Sequence, residues 1–137
     1  MAEISKKYLS LFSEFIKDKQ LITGTQFEED CIVQLHPLLA DSLIINLLGN
    51  AVKYNYTGGS IQIATTKNSY HIGNTSLLEP IPPGKLFKRF NTSKDSEETS
   101  NGLGLAIVKK IADSNSLSIS YHAENGVNNF DIRKIQL

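Results

Sequence analysis

The stretch Asn46-Leu47-Leu48-Gly49-Asn50-Ala51-Val52-Lys53-Tyr54 decides how this chain is interpreted. It lies in a segment, residues 39–54, whose apolar side chains recur at intervals of three and four residues. That spacing predicts an amphipathic helix. Pro37 suits the first turn of such a helix, because an N–H there has no intrahelical partner to lose. We therefore predict a helix from Pro37 to about Tyr54.

One polar stripe interrupts the apolar face of this helix. Asn46, Asn50 and Lys53 stand at relative positions zero, four and seven, so their side chains point the same way. An amide oxygen suits Mg²⁺ as a ligand, and an ammonium can meet a phosphate as a point charge. Taken alone, the stripe is better explained as the solvated side of a helix, and other motifs must support a site.

The rest of the chain predicts one α+β domain. Helical spacing is found in residues 3–20 and again in Leu103–Asp113. Strand-like patterns occur in six segments: Leu21–Phe27, Cys31–Leu35, Ser60–Thr65, Ser69–Gly73, Leu117–Tyr121 and 130–135. The helices and strands together predict a two-layer α/β sandwich, with one mixed, mainly antiparallel sheet and its helices on one face.

Composition narrows the class of protein. The 137 residues suit a single domain, 1–137. Lys plus Arg and Asp plus Glu are 14 each, and such a balance argues against a general nucleic-acid binder. No apolar stretch approaches the roughly 18 residues of a membrane span. The single cysteine, Cys31, lies in an apolar run and is predicted to be buried. These features favour a cytoplasmic protein, or a soluble piece of a larger one.

A pair of glycines is the second signal for a site. Asn101-Gly102-Leu103-Gly104-Leu105 comes directly before apolar helical spacing. Glycine lets backbone N–H groups approach an anion, and a helix N-terminus favours negative charge. The pattern is compatible with a phosphate-binding turn, a helix cap or a hinge. Residues 91–101 hold no apolar side chain, which predicts a mobile loop. Such a loop suits a nucleotide lid, but any long surface loop has the same composition.

Three segments together resemble the sequence boxes of histidine kinases. The stretch 46–54 resembles the N box, Leu86-Phe87-Lys88-Arg89-Phe90 the F box, and residues 101–108 the G2 box. They follow the order and the approximate separations found in that family. The chain is thus similar to the ATP-binding domains of the GHKL superfamily, which includes type II topoisomerases and the ninety-kilodalton heat-shock chaperones.

The resemblance implies that ATP or ADP binds with Mg²⁺. It implies that Asn50 binds the metal, that Asn46 lies near the phosphates, and that Lys53 contacts phosphate oxygens; these three are the expected catalytic residues. Tyr54 is expected against the adenine. Further nucleotide contacts are implied for the base of the lid and the glycine turn: Phe87, Arg89, Phe90, Gly102, Leu103, Gly104 and Leu105.

The fourth box of the family, G1, departs from its usual Asp-x-Gly-x-Gly pattern. Asn74 stands where the aspartate is expected, and Ser76 and Leu78 replace the two glycines. The oxygen of Asn74 can still accept a hydrogen bond from the adenine amino group, but without the assistance of a charge. Weakened or lost ATP binding therefore stays open.

The implied function is that of a protein-histidine kinase catalytic domain. It transfers the γ-phosphoryl group of ATP to a histidine on a separate dimerisation domain, which these residues lack. A response regulator is the implied downstream partner, and neither nucleic acid nor membrane is contacted by the domain itself. His36, His71 and His122 fall in a turn and two strands, and none is expected to be the phosphoacceptor. The implied location is the cytoplasm, either free or as part of a membrane-bound sensor.

Two alternatives remain. A pseudo-kinase or regulatory binding module would keep the fold and lose nucleotide through its altered G1 box. A serine kinase of the anti-sigma type is disfavoured, because such proteins usually carry an acidic residue near the position of Asn46.

Overall fold

The computed structural model describes residues 1–76 and 96–135, and from 96 to 103 it describes the backbone alone. Nine helices and strands follow one another within these residues: α1 (Ala2–Leu11), α2 (Ser13–Asp18), β1 (Ile22–Phe27), α3 (Pro37–Lys53), β2 (Ser60–Thr66), β3 (Ser69–Thr75), α4 (Ser96–Ser114), β4 (Leu117–Glu124) and β5 (Val127–Lys134). The predicted main helix is confirmed, as are the strands around residues 21–27, 60–65, 69–73 and 117–121 and the closing strand.

The strands form one five-stranded sheet in the order β1-β2-β3-β5-β4. The β1–β2 pair is parallel and the other three pairs are antiparallel. One side chain in two along the central strands is buried, namely Ile61, Ile63, Tyr70, Ile72, Phe130 and Ile132. The alternate positions, such as Gln62 and His71, are exposed or half-buried. This confirms the predicted fold class, a mixed and mainly antiparallel sheet covered by helices on one face.

Helix α3 is the central helix of the covered face. It contacts α1, α4 and β3, and Leu43, Ile44 and Leu48 are completely buried. Its first turn is capped by His36, whose Nδ1 accepts a hydrogen bond from the backbone N–H of Leu38 at 3.1 Å. Full burial of each such aliphatic side chain contributes about 1.5–3 kcal/mol. Packing therefore holds α3 rigidly, and with it the polar stripe.

Two predictions about the first 36 residues are wrong in detail. The helix predicted over residues 3–20 is broken at Phe12 into α1 and α2. Residues 31–35 pair with no described strand. Cys31 is 1% exposed whereas Ile32 is 71% exposed. The apolar alternation of residues 31–35 thus shows which side of an extended segment faces the core. It does not show whether the segment pairs with a neighbouring strand. The predicted burial of Cys31 is confirmed, and desolvation raises the pKa of its thiol.

The start of α4 also differs from the prediction. The helix begins at Ser96, so residues 96–101 are helical and not a loop, and Gly102 and Gly104 lie inside the helix. The prediction placed the helix start at the first apolar residue. Ser96-Glu97-Glu98 is a favourable first turn, because acidic side chains there interact well with the helix dipole. Residues 91–95 of the predicted loop lie outside the described residues.

Candidate functional site

The structure brings two of the sequence signals into contact. Asn46 on α3 is half-buried, and its Nδ2 donates to the carbonyl of Ser42 at 2.7 Å. A Cβ placed on Gly104 of α4 would lie 2.8 Å from Asn46 Oδ1, closer than side chains normally approach. The absence of a side chain at Gly104 thus allows α4 to lie directly against the polar stripe. Asn46 and Gly104 are therefore neighbours across α3 and α4.

Asn50 carries a polar atom that the described part of the chain does not satisfy. Its Nδ2 is buried and has no hydrogen-bond partner among the residues that the structure describes. Leaving a buried donor unpaired costs about 1–3 kcal/mol, so such a group calls for a specific reason. A polar ligand at this point of the helix supplies one. The donor chemistry of Asn50, one amide oxygen and one N–H pair, fits a hydrated Mg²⁺ and its phosphate.

Lys53 and Tyr54 lie at the carboxyl end of the stripe. The Lys53 ammonium sits over the Tyr54 ring, 5.4 Å from its centroid. Its side chain also lines a surface groove beside Phe12 and Phe15. Lys53 is exposed.

Asn74 is the residue that the resemblance sets at the position of the G1 aspartate. It is 4% exposed and lies on the helix-covered face of β3, with Tyr70 and Ile72. Its Nδ2 donates to the carbonyl of Thr75 at 3.0 Å, which turns the amide oxygen to the other side. Asn74 therefore lies on the face of the sheet that the helices cover. Ser76 is also buried, and its N–H donates to the carbonyl of Gly126.

The carboxyl end of α3 is fixed from outside the helix. Lys19 Nζ donates to the carbonyls of Val52 at 2.9 Å, Lys53 at 2.9 Å and Asn55 at 3.2 Å. A cation at a helix C-terminus satisfies carbonyls that have no intrahelical partner and interacts well with the dipole. Lys19 thus holds the backbone that carries Lys53 and Tyr54.

Sequence reasoning gave no role to Asn55 or Thr75. The Thr75 hydroxyl donates to Asn55 Oδ1, and the backbone N–H of Ser60 donates to the Thr75 hydroxyl at 2.8 Å. A Cβ on Gly59 would collide with both side chains. The one available signal was position, because Asn55 directly follows the N box and Thr75 directly follows Asn74.

The other candidate residues lie in the core, in the first part of α4 or outside the described residues. Leu105 is 4% exposed and packs in the core. Gly102 and Leu103 belong to α4, where only their backbone is described. Phe87, Arg89 and Phe90 lie outside the described residues, and so does Leu78 of the G1 segment.

The three histidines lie away from the stripe. His36 caps α3, while His71 Nδ1 lies 2.9 Å from Asp131 Oδ1 on the open face of the sheet. His122 is exposed on β4.

Comparison with known families agrees with this geometry. Residues 36–133 match the model of the family described as histidine kinase-, DNA gyrase B-, and HSP90-like ATPase. The chain belongs to this ATPase family. The matched range contains α3, the whole stripe, Asn74 and Gly104, so this is an ATP-binding type of domain.

Individual relatives are sensor proteins, and one of them is named as a sensor histidine kinase. The chain is 37% identical over 114 residues to the heme sensor protein HssS of Staphylococcus aureus, which covers 79% of the chain and 24% of HssS. It is 30% identical over 128 residues to the sensor histidine kinase HprS of Escherichia coli, covering 88% of the chain and 28% of HprS. The chain therefore spans about a quarter of the length of these relatives.

Solved structures show the same fold. The catalytic domain of histidine kinase ThkA superposes with a TM-score of 0.77 at 27% identity, covering 98% of this chain and 95% of that one. ThkA in complex with the response regulator protein TrrA matches with a TM-score of 0.70 at 22% identity, covering 98% and 40%. Within residues 1–76 and 96–135, no helix combines the length and the apolarity needed to cross a bilayer.

Proposed function

We propose that this domain binds Mg-ATP between α3 and α4 and supplies the γ-phosphoryl group to a histidine on a separate phosphoacceptor domain. The contact between Asn46 Oδ1 and Gly104 is the observation that carries the proposal. It places the glycine motif of α4 directly beside the polar stripe of α3. Membership of the ATPase family and the likeness to sensor kinases support the choice of ligand and reaction.

The side chains of α3 have distinct roles in this proposal. Asn50 would hold Mg²⁺, and the bound ion would neutralise charge on the phosphate oxygens. Asn46 orients the phosphates, and Lys53 reaches them from the end of the helix. Asn74 accepts from the adenine amino group, and Tyr54 packs beside the base. The protein thus acts mainly by positioning and by charge compensation.

Phosphoryl transfer then needs little covalent chemistry from the domain. The bond from the γ-phosphorus to its bridging oxygen breaks, and a bond to the acceptor imidazole nitrogen forms. ADP leaves with the electron pair of the broken bond. None of the groups named above has to become a nucleophile, which agrees with a stripe of amides and one ammonium.

The amides of Gly102 and Gly104 are part of this proposal on one condition. They lie inside α4, where helical hydrogen bonds use backbone N–H groups. Contact with phosphate requires the first turns of the helix to open. Glycine lowers helix stability by about 1 kcal/mol relative to alanine, so two glycines make that opening easier.

The partners and the location follow from the relatives and are proposals as well. HprS and HssS are sensor proteins, and ThkA forms a complex with a response regulator. We infer that this domain is the cytoplasmic kinase part of such a sensor and signals to a response regulator.

A regulatory module of the same fold is the second candidate. It is favoured by one observation, that buried Asn74 and Ser76 replace a charged aspartate and a glycine of the G1 box. This candidate keeps the architecture but binds nucleotide weakly or not at all.

Calorimetric titration with ATP and ADP, with and without Mg²⁺, separates the two. The kinase proposal expects binding that Mg²⁺ strengthens, and it expects Asn50→Ala to lose that Mg²⁺ dependence. Gln34→Ala, an exposed amide outside the site, is the matched control and should bind as wild type. No heat from folded wild-type protein would favour the regulatory module. Unchanged Mg²⁺ dependence in Asn50→Ala would remove Asn50 from the metal site.

A further inference from the structure

The end of α3 and the end of β3 are joined by a closed set of hydrogen bonds around Asn55. This side chain is 7% exposed. Its Nδ2 donates to the carbonyls of Ala51 at 3.2 Å and Ser60 at 2.9 Å. Its Oδ1 accepts from the N–H of Tyr56 at 3.0 Å and from the Thr75 hydroxyl at 2.5 Å. All four hydrogen-bonding positions of the amide are used, which an exposed surface residue would not need.

Thr75 completes the set from the strand side. Its hydroxyl donates to Asn55 Oδ1 and accepts from the N–H of Ser60 at 2.8 Å. Gly59 leaves the space that these side chains fill, since a Cβ there would overlap both. A fully satisfied buried network of this kind fixes one geometry, because any displacement leaves polar groups unpaired. We call Asn55, Ser60 and Thr75 the polar latch.

The latch is attached directly to the adenine side of the candidate site. Asn55 is the residue after Tyr54, and Thr75 is the residue after Asn74. Moreover, the carbonyl of Thr75 accepts the Asn74 Nδ2 hydrogen bond at 3.0 Å and so orients that amide. The spacing between the helix end and the amide of Asn74 is therefore set by Asn55 and Thr75.

We propose that Asn55 and Thr75 are positioning residues for adenine, which hold the Asn74 amide oxygen where it can accept from the base amino group. This inference rests on the proposed nucleotide site. With an uncharged amide in place of a carboxylate, recognition depends more on geometry, because a neutral hydrogen bond is weaker than a charge-assisted one. The latch supplies that geometry.

A purely structural role would give a different result, and Lys19 provides the comparison. Lys19 holds the same end of α3, through Val52, Lys53 and Asn55, but makes no described contact with β3. Removing it should lower stability without changing how the site discriminates between bases. Removing the Thr75 hydroxyl should change discrimination.

The test measures the affinities of Mg-ADP and Mg-IDP by calorimetry for wild type, Thr75→Val, Thr75→Ser and Lys19→Met. Hypoxanthine, the base of IDP, lacks the amino group that Asn74 would recognise. Thr75→Val should lower the affinity for Mg-ADP about tenfold, which is the order expected when a buried hydrogen bond is lost. The affinity for Mg-IDP should stay nearly unchanged. Thr75→Ser keeps the hydroxyl and should keep the wild-type preference for ADP. Lys19→Met should lower the melting temperature and retain that preference.

Thr75→Val introduced into an Asn74→Ala variant tests whether the latch acts through Asn74. Because the latch acts through Asn74, Thr75→Val should then have little further effect on ADP affinity. Thr75→Ala, which removes the hydroxyl without adding a methyl group in its place, replaces Thr75→Val if that variant does not fold.

Several outcomes overturn the inference. Equal ADP affinities of Thr75→Val and Thr75→Ser would overturn it. A Thr75→Val variant that lost affinity for ADP and for IDP to the same extent would also overturn it. A full effect of Thr75→Val in the Asn74→Ala background would show that the latch does not act through Asn74. Wild-type protein that is folded and binds neither nucleotide would overturn the proposed function itself, and the latch proposal with it.

Discussion

Helices α3 and α4 form the two sides of the candidate site, and they are built differently. Along α3, buried side chains run from Ala40 to Val52, and both ends are capped by side chains, His36 and Lys19. In α4 the first six residues, 96–101, contain no apolar residue. A helix segment without apolar contacts gains little from packing, which provides most helical stability in proteins. Packing therefore fixes α3, which carries the polar stripe, whereas the first six residues of α4 offer no apolar side chain for such packing.

The largest expected effect comes from breaking the fixed side. Leu48 is completely buried on α3, whereas Leu38 on the same helix is 70% exposed. Leu48→Ala should lower the free energy of unfolding by about 2–5 kcal/mol, because it removes core contacts and leaves a cavity. Leu38→Ala, the matched control, should change it by less than about 0.5 kcal/mol. Urea denaturation measures both, and similar losses would contradict the burial of this face.

A pair of helical glycines tests the contact between the two sides. A Cβ on Gly104 would press on Asn46 Oδ1 at 2.8 Å, whereas a Cβ on Gly49 would meet only Phe12 at 3.8 Å. Gly104→Ala should therefore weaken nucleotide binding roughly tenfold or more, since Asn46 must give up its hydrogen-bonded position. Gly49→Ala should bind normally and be more stable by roughly 0.5–1 kcal/mol. Normal nucleotide affinity in Gly104→Ala would place the ligand elsewhere.

A smaller effect is expected at the carboxyl end of α3. Lys19→Met keeps an apolar stem but removes the ammonium that three carbonyls accept from. Thermal unfolding should show that the free energy of unfolding falls by about 1–2 kcal/mol. This is a modest value for hydrogen bonds to a charged group, because Lys19 is only partly buried. Lys17→Met, which replaces an exposed lysine in α2, serves as control. Equal melting temperatures for the two variants would mean that the helix end is held by packing alone.

The smallest effect concerns pH and helix α1, which packs on α3. The N–H of Ala2 donates to Asp30 Oδ1 at 2.9 Å, and this bond is the main reason that the pKa of Asp30 is lowered. A lowered pKa in the folded state means that the contribution to stability is complete above the ordinary value of about 3.9. It is lost as pH falls through the folded-state pKa. Asp30→Asn should therefore be less stable than wild type near neutral pH. As the pH is lowered, its free energy of unfolding should fall less than that of wild type. Parallel pH profiles of urea midpoints would contradict this.

Much of the site followed from the sequence because helical periodicity is a local property. The spacing of Asn46, Asn50 and Lys53 placed them on one stripe, and the structure confirms that helix. Gly104 of the glycine motif lies beside Asn46 of the stripe, but the start of α4 was misplaced, since polar residues begin a helix as readily as they form a loop. Cys31–Leu35 was mistaken for a strand, because alternation does not reveal a pairing partner. Asn55 was missed, since its importance depends on Thr75, twenty residues away, and on the space at Gly59.

The central claim is that nucleotide binds between α3 and α4, and backbone amide chemical shifts test it most directly. In a titration of isotopically labelled protein with Mg-ATP, the account predicts the largest shift changes at Asn46, Asn50, Asn74 and Gly104. His71 and Asp131, on the open face of the sheet, should shift little. Changes confined to the open face would contradict the location of the site. Unchanged spectra from a folded sample would contradict nucleotide binding itself.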